Sequence, residues 1–242
     1  MTFFHRYALR EGMGLVAEGP GRGLMPSFSA LEGPGFQAAA VHPEVVRFYE
    51  RTSDFKLDVW SDWSLVFKPF GHLLAWVFSR RIQQLNVPLN PLETRLGMTS
   101  QVLNLLHPDG SHAGSAWVRE SVASGDTIYA GCYSTCQVPG FPGTCVKVAF
   151  PLPNGFALVV MRAESHPDGS LTIRSEGKGF GDPGFYFFVE ESPGQGWARY
   201  VGSMKESINV YVDAESVLRA DHRLNLWGRR FLNLHYRMTP TT

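Results

Sequence analysis

Met204-Lys205-Glu206-Ser207-Ile208-Asn209-Val210-Tyr211-Val212 is followed by Asp213-Ala214-Glu215-Ser216 and then by Val217-Leu218-Arg219-Ala220-Asp221-His222-Arg223-Leu224-Asn225-Leu226. Met204, Glu206, Ile208, Val210 and Val212 share one face of the first run, and Leu218, Ala220, His222, Leu224 and Leu226 share one face of the second. A period of two is that of a strand with one buried side. The connection is too short for a parallel crossover, so the two runs pair as an antiparallel hairpin.

The same period recurs outward from this hairpin. Strands are expected around residues 96–106, 115–121, 127–136, 145–150, 156–163, 170–175, 184–190, 197–202, 207–213, 217–227 and 231–238. Between them stand Pro108-Asp109-Gly110, Ser124-Gly125-Asp126, Pro153-Asn154-Gly155, Pro167-Asp168-Gly169 and Trp227-Gly228-Arg229. Asn-Gly and Asp-Gly between apolar runs are strong hairpin signals. About ten strands seldom stay one flat sheet. The fold class predicted is mainly β (α+β), a large curved antiparallel sheet or barrel.

Two short helices precede the strands. His42-Pro43-Glu44 opens the first, which carries Val45, Val46, Phe48 and Tyr49 and ends near Thr52-Ser53. Phe55, Leu57 and Val59 then alternate with Lys56, Asp58 and Trp60 as a strand. The second helix is expected over 69–85, where Phe70, Leu73, Leu74, Val77, Phe78, Ile82 and Leu85 fall at helical spacing. A membrane-surface role for this basic, aromatic segment is the lesser reading beside core packing. Residues 1–41 are expected to be irregular and rich in Gly and Pro, 42–91 helical, and 92–242 antiparallel β, all within one domain, 1–242. Both helices bury their apolar faces on the concave side of the sheet.

This order of helices and curved sheet resembles helix-grip and calycin-like folds, and the likeness implies a pocket for an apolar small molecule. It is architectural only. Residues 232–238 alternate as a strand, whereas helix-grip domains end in a long helix.

The 22 basic and 22 acidic residues cancel, which removes the electrostatic footprint of a nucleic-acid binder. Aromatics reach 13% of the chain, bulk suited to a large core or a large apolar cavity. The first residues lack the flank and apolar stretch of a signal peptide, and no apolar run approaches the roughly 20 residues a transmembrane helix needs. A cytoplasmic protein without a transmembrane segment is expected. Cys132, Cys136 and Cys145 are odd in number and poorly spaced for zinc, since Cys132 and Cys136 lie roughly 13 Å apart along one strand. Free thiols are expected, with a Cys136–Cys145 disulfide as the lesser alternative. Gly177-Lys178-Gly179-Phe180-Gly181-Asp182-Pro183-Gly184 precedes a strand, so it is read as a long hairpin loop, not a phosphate loop. No cofactor or metal is expected.

Glu206 and His222 are the ionisable members of otherwise apolar strand faces, at nearly matching distances from the Asp213–Ser216 turn. They are the candidate catalytic residues, a general acid/base couple, against the plainer reading of a satisfied buried pair. Trp60, Trp76, Tyr129, Tyr133, Phe187 and Tyr211 are the candidate ligand-binding aromatics. Arg219, Asp221, Arg223, Asn225, Asn233, His235 and Arg237 form the opposite, polar face, and alternation alone does not say which face encloses a ligand. The leading expectation is binding of a small apolar molecule, lipid-, isoprenoid- or polyketide-like, between sheet and helices. The alternatives are a cofactor-independent cyclase, isomerase or hydratase using Glu206 and His222, and a non-catalytic partner-binding protein.

Overall fold

In the computed structural model, which describes residues 3–17, 21–64, 98–122, 125, 127–152, 155–192 and 195–241, thirteen strands belong to one antiparallel sheet. They are β1 (Gly14–Val16), β2 (Phe55–Trp63), β3 (Met98–Leu106), β4 (His112–Ser121), β5 (Thr127–Val138), β6 (Phe141–Leu152), β7 (Gly155–Ser165), β8 (Leu171–Arg174), β9 (Gly184–Ser192), β10 (Gln195–Tyr200), β11 (Met204–Val212), β12 (Leu218–Leu226) and β13 (Arg229–Pro240). The order is β1-β3-β4-β5-β6-β7-β8-β11-β12-β13-β2. β9 branches from β7, whose 155–160 half pairs with β9 while its 162–165 half pairs with β8, and β10 pairs with β9. The sheet is curved and not closed.

Turn chemistry sets the hairpins. His107-Pro108-Asp109-Gly110-Ser111 and His166-Pro167-Asp168-Gly169-Ser170 repeat one pentapeptide and one geometry. In each the Asp Oδ1 accepts the Ser backbone N–H at 2.9 Å. Each glycine sits in the left-handed region, at φ 82° for Gly110 and 80° for Gly169, which a side chain disfavours.

The core identifies the concave face. Leu57 of β2 and Val102 of β3, from opposite sides of the sheet, join one buried cluster with Trp117, Val146, Met161, Ile173, Val210, Leu218 and Met238. Strands that far apart in the order share a cluster only across a concave surface. The filling comes from residues 24–55, through Leu24, Met25, Phe28, Leu31, Phe36, Val45, Phe48, Tyr49 and Phe55.

One expected helix is α2 (Pro43–Glu50), which begins at Pro43 where His42 Nδ1 accepts the Glu44 N–H at 3.2 Å. The other expected helix, 69–85, lies outside the described residues. Residues 1–41 are more regular than composition implied. They hold α1 (Phe3–Arg10), β1, and single 3-10 turns at Phe28–Leu31 and Ala38–Ala40. The chain is close-packed at one of its glycines. At Gly23 a Cβ would lie 2.2 Å from the Glu50 carbonyl carbon. The Met25 N–H donates to Tyr49 O, and the Phe28 N–H to Glu50 Oε1 at 2.7 Å. Composition marks breakers; it does not register that glycine also permits backbones to meet.

α1 packs instead on the convex side, where Phe4 meets Leu103, Ala116, Val118 and Ala130. Arg22 bridges the gap between the sheet's two edges. Its Nε donates to Val102 O of β3 at 2.9 Å, and its backbone exchanges hydrogen bonds with Ser53 just before β2. An edge carbonyl that would otherwise be left unpaired is thereby satisfied.

Candidate functional site

The concave face has two ends. The turns after β3, β7 and β11 lie at the end filled by residues 24–55, where Gly169 O accepts the His42 N–H and Gly35 O the Ser165 N–H. At the other end lie the last residue of β2, the first of β3 and β11, and the β12–β13 turn. Residues 64 and 98 therefore both stand at this second end.

Alternation along β4, β5, β11, β12 and β13 carries polar side chains onto the concave face near that end. Glu206 and His222 follow the same parity as Val210 and Ala220 of the core. Their cross-strand partners are Leu224 and Ile208, so the two sit on a diagonal one pleat apart. Glu206 Oε2 lies 2.9 Å from His222 Nε2, and the side chains are only 12% and 16% exposed.

Arg119 shares the face of Trp117 on β4 and is 6% exposed. Its guanidinium carbon lies 4.5 Å from the Trp117 ring centre, 4.5 Å from Tyr129 and 5.6 Å from Tyr236. Three ring faces attract a cation, but none replaces the hydrogen bonds a guanidinium makes in water. The Arg119 Nε is buried with no acceptor. Among the described residues no carboxylate reaches Arg119 within salt-bridge distance. Trp63 Nε1, on the last residue of β2, is likewise buried without a partner. Tyr129 and Tyr133 share a hydrogen bond of 2.7 Å between hydroxyls. Burial holds both phenols well above the usual tyrosine range, so they stay neutral and act as donors and acceptors. Trp117 is the partition between the two ends: it meets Phe48 of the filling at 6.2 Å, Tyr129 at 5.7 Å and Tyr133 at 5.9 Å.

The aromatic positions expected to bind ligand do not converge on one place. Tyr129 and Tyr133 belong to the concave site. Phe187 packs edge-on against Phe185, which touches the core. Trp60 and Tyr211 lie on the convex face, as their alternation with Leu57 and Val210 dictates. There Trp60 stacks on His235 at 5.6 Å, His235 Nδ1 lies 2.6 Å from Asp221 Oδ1, and the Tyr211 hydroxyl donates to Asp221 Oδ2. Trp76 lies outside the described residues. The polar run from Arg219 to Arg237 is thus on the convex side. Arg119 and Tyr236 escaped the sequence reading, although Arg119 stands two residues from Trp117, where a strand face repeats.

The three cysteines are free. Cys136 and Cys145 face each other across β5 and β6, and burial pushes Cys132 up to about 11 and Cys145 up to about 12. Such thiols stay protonated and unreactive at neutral pH. Among the described residues no cluster of three or more His, Cys, Asp or Glu is placed to hold a metal. The Gly-rich loop 177–184 is pinned by Asp182, whose Oδ2 accepts the backbone N–H groups of Lys178 and Gly179. An acid already occupies the loop's donors, so it is not a phosphate cradle.

No helix among the described residues is long and apolar enough to cross a membrane. No protein-family model and no solved structure matches the chain. The chain is similar to the uncharacterized membrane protein YndJ of Bacillus subtilis (strain 168), with 26% identity over 219 residues. The likeness takes in 90% of this chain and 38% of that protein, so the chain spans under two fifths of the relative's length.

Proposed function

We propose that the end of the concave face not covered by residues 24–55 binds a small, largely apolar molecule of the lipid, isoprenoid or polyketide kind. One observation carries this reading. Residues 24–55 bury the face at one end only, while Ile208, Leu224, Leu234 and Tyr236 on the same face remain partly exposed around the Arg119 and Glu206–His222 groups. Apolar walls with a few convergent polar groups are the usual make-up of a ligand site. Similarity to part of a membrane protein supports a ligand drawn from lipid. So does the rim, where Trp227 is 69% exposed on the β12–β13 turn beside exposed Arg229 and Arg230. Indole and guanidinium groups favour the membrane–water interface. The test is native mass spectrometry of the purified chain with organic extraction, followed by displacement of a fluorescent apolar probe. Bound lipid and saturable displacement are expected; an empty protein that binds no probe overturns the reading.

The 2.9 Å Glu206–His222 contact favours a second reading, cofactor-independent acid/base catalysis on such a molecule. A carboxylate hydrogen-bonded to an imidazole beside an apolar wall suits isomerisation or hydration. Turnover undiminished in Glu206→Gln and in His222→Ala overturns it.

A further inference from the structure

Resting on the pocket reading above, we propose that Arg119 selects the ligand's head group, and that the molecule bound is an anionic amphiphile, carrying a carboxylate or a phosphate monoester. Arginine is ionised at any pH the fold survives. A buried charge is costly unless paired, and a buried arginine is ordinarily held by a carboxylate. Here the nearby acid, Glu206, is engaged by His222. What surrounds the guanidinium is aromatic: Trp117, Tyr129 and Tyr236. Ring faces hold the cation in place and leave its in-plane N–H donors available, the edge that a carboxylate or phosphate meets in a bidentate pair.

The surroundings fit this head group in other ways. The neutral Tyr129 and Tyr133 hydroxyls are bonded to each other, which leaves one O–H free to donate without charge. Arg119 stands near the end of its strand away from residues 24–55, third from last in β4 (His112–Ser121), so a head group seated there leaves its tail among Ile208, Leu224 and Leu234. A neutral head group such as an alcohol makes no charge-assisted bond there and leaves Arg119 uncompensated.

The test compares three pyrene-labelled probes of equal chain length, a fatty acid, its alcohol and its phosphate monoester, on the full chain at pH 7.5, with inorganic phosphate as competitor. The acid and the phosphate ester are expected to bind about tenfold or more tighter than the alcohol, the worth of a charge-assisted pair. In Arg119→Met the acid's Kd is expected to rise to the alcohol's, with the alcohol's own Kd little changed. Displacement of the acid by inorganic phosphate at millimolar levels would identify a free anion as ligand and overturn the amphiphile. Equal Kd values for acid and alcohol in the unmodified chain, or a preference that survives Arg119→Met, overturn the head-group inference while leaving the pocket standing. Failure of all three probes to bind overturns the pocket itself. Arg119→Gln, which keeps a planar polar end, replaces the Met variant if that one loses the far-UV spectrum of the parent, and the same two outcomes decide.

Discussion

The two ends of the concave face are made from the same strands and differ in what those strands meet. At one end residues 24–55 supply Phe28, Phe36, Phe48 and Tyr49, and nearly every inward side chain is buried and apolar. At the other the inward positions turn polar and aromatic, with Arg119, Glu206, His222 and the tyrosines. The first arrangement gains its free energy from area removed from water. The second holds buried polar groups whose only benefit to folding is what their partners return. On the proposed reading, a sheet that spends one end on stability and keeps costly groups at the other separates folding from recognition along its strands.

The sharpest way to break that separation is to damage the filled end. Phe28 is among the largest fully buried side chains and packs on Tyr49 and Phe36 at 5.1 and 5.3 Å between ring centres. Phe28→Ala is expected to cost about 3–5 kcal/mol in urea unfolding. Probe affinity per folded molecule should not change. A Kd that weakens in step with stability would show the two ends to be one cooperative unit.

Glu206 and His222 come next. Removing either leaves the other mostly buried without its partner, for which about 1–3 kcal/mol is expected. Unlike Phe28→Ala, these variants should also alter probe affinity or turnover. A Glu206→Gln variant with native stability and unaltered binding would reduce the pair to a spectator.

β12 allows a finer comparison, because Asp221 and His222 are consecutive and point to opposite faces. The convex Asp221–His235 pair has the shorter contact, 2.6 Å, but its side chains are 28% and 32% exposed, about twice the values of the concave pair. Water screens the convex pair and satisfies whichever group is left behind. His235→Ala is therefore expected to cost under about 1 kcal/mol by chemical denaturation. It should alter the fluorescence of Trp60, which stacks on the imidazole. A cost equal to that of His222→Ala would mean that burial does not set the difference.

How much of this was legible follows from range. Strand parity is local, so the alternation at 204–212 and 218–226 placed Glu206 and His222 on one face, and the short turn brought them together. Parity also put Trp60 and Tyr211 on the opposite face from Leu57 and Val210, against their selection as ligand residues for size alone. The polarity of the faces was not local. It became readable only when Leu57 and Val102, 45 positions apart in number, met in one cluster. Arg119 was hidden for a similar reason. An arginine in an alternating strand reads as solvent-facing until Trp117, Tyr129 and Tyr236 are seen around it. α1 was missed although Phe3, Phe4, Tyr7 and Ala8 fall at helical spacing, because it lacks the Pro and first-turn acid that mark the start of α2.

The smallest expected effect concerns the turn that joins β11 and β12 at the filled end. Asp213 is hydrogen-bonded to the Arg219 side chain and to the backbone N–H groups of Val217 and Glu215, and these hold its carboxyl below the usual 3.8. A carboxyl acidified by folding stabilises the native state only while ionised. Its contribution is complete above pH 3.8 and disappears as the pH falls through the lowered value. Asp213→Asn keeps an acceptor but loses the charge. It should be slightly less stable than the parent at pH 7, and the gap should close as the solution is taken below pH 4 in a series of urea titrations. The Asp–Arg pair sits at the turn, away from Arg119, Glu206 and His222, so probe affinity should be unchanged at every pH where the chain is folded. A gap that widens on acidification would reverse the sign of this linkage. A loss of probe affinity in Asp213→Asn would mean instead that the register of the β11–β12 hairpin, and with it the Glu206–His222 diagonal, is set from the turn.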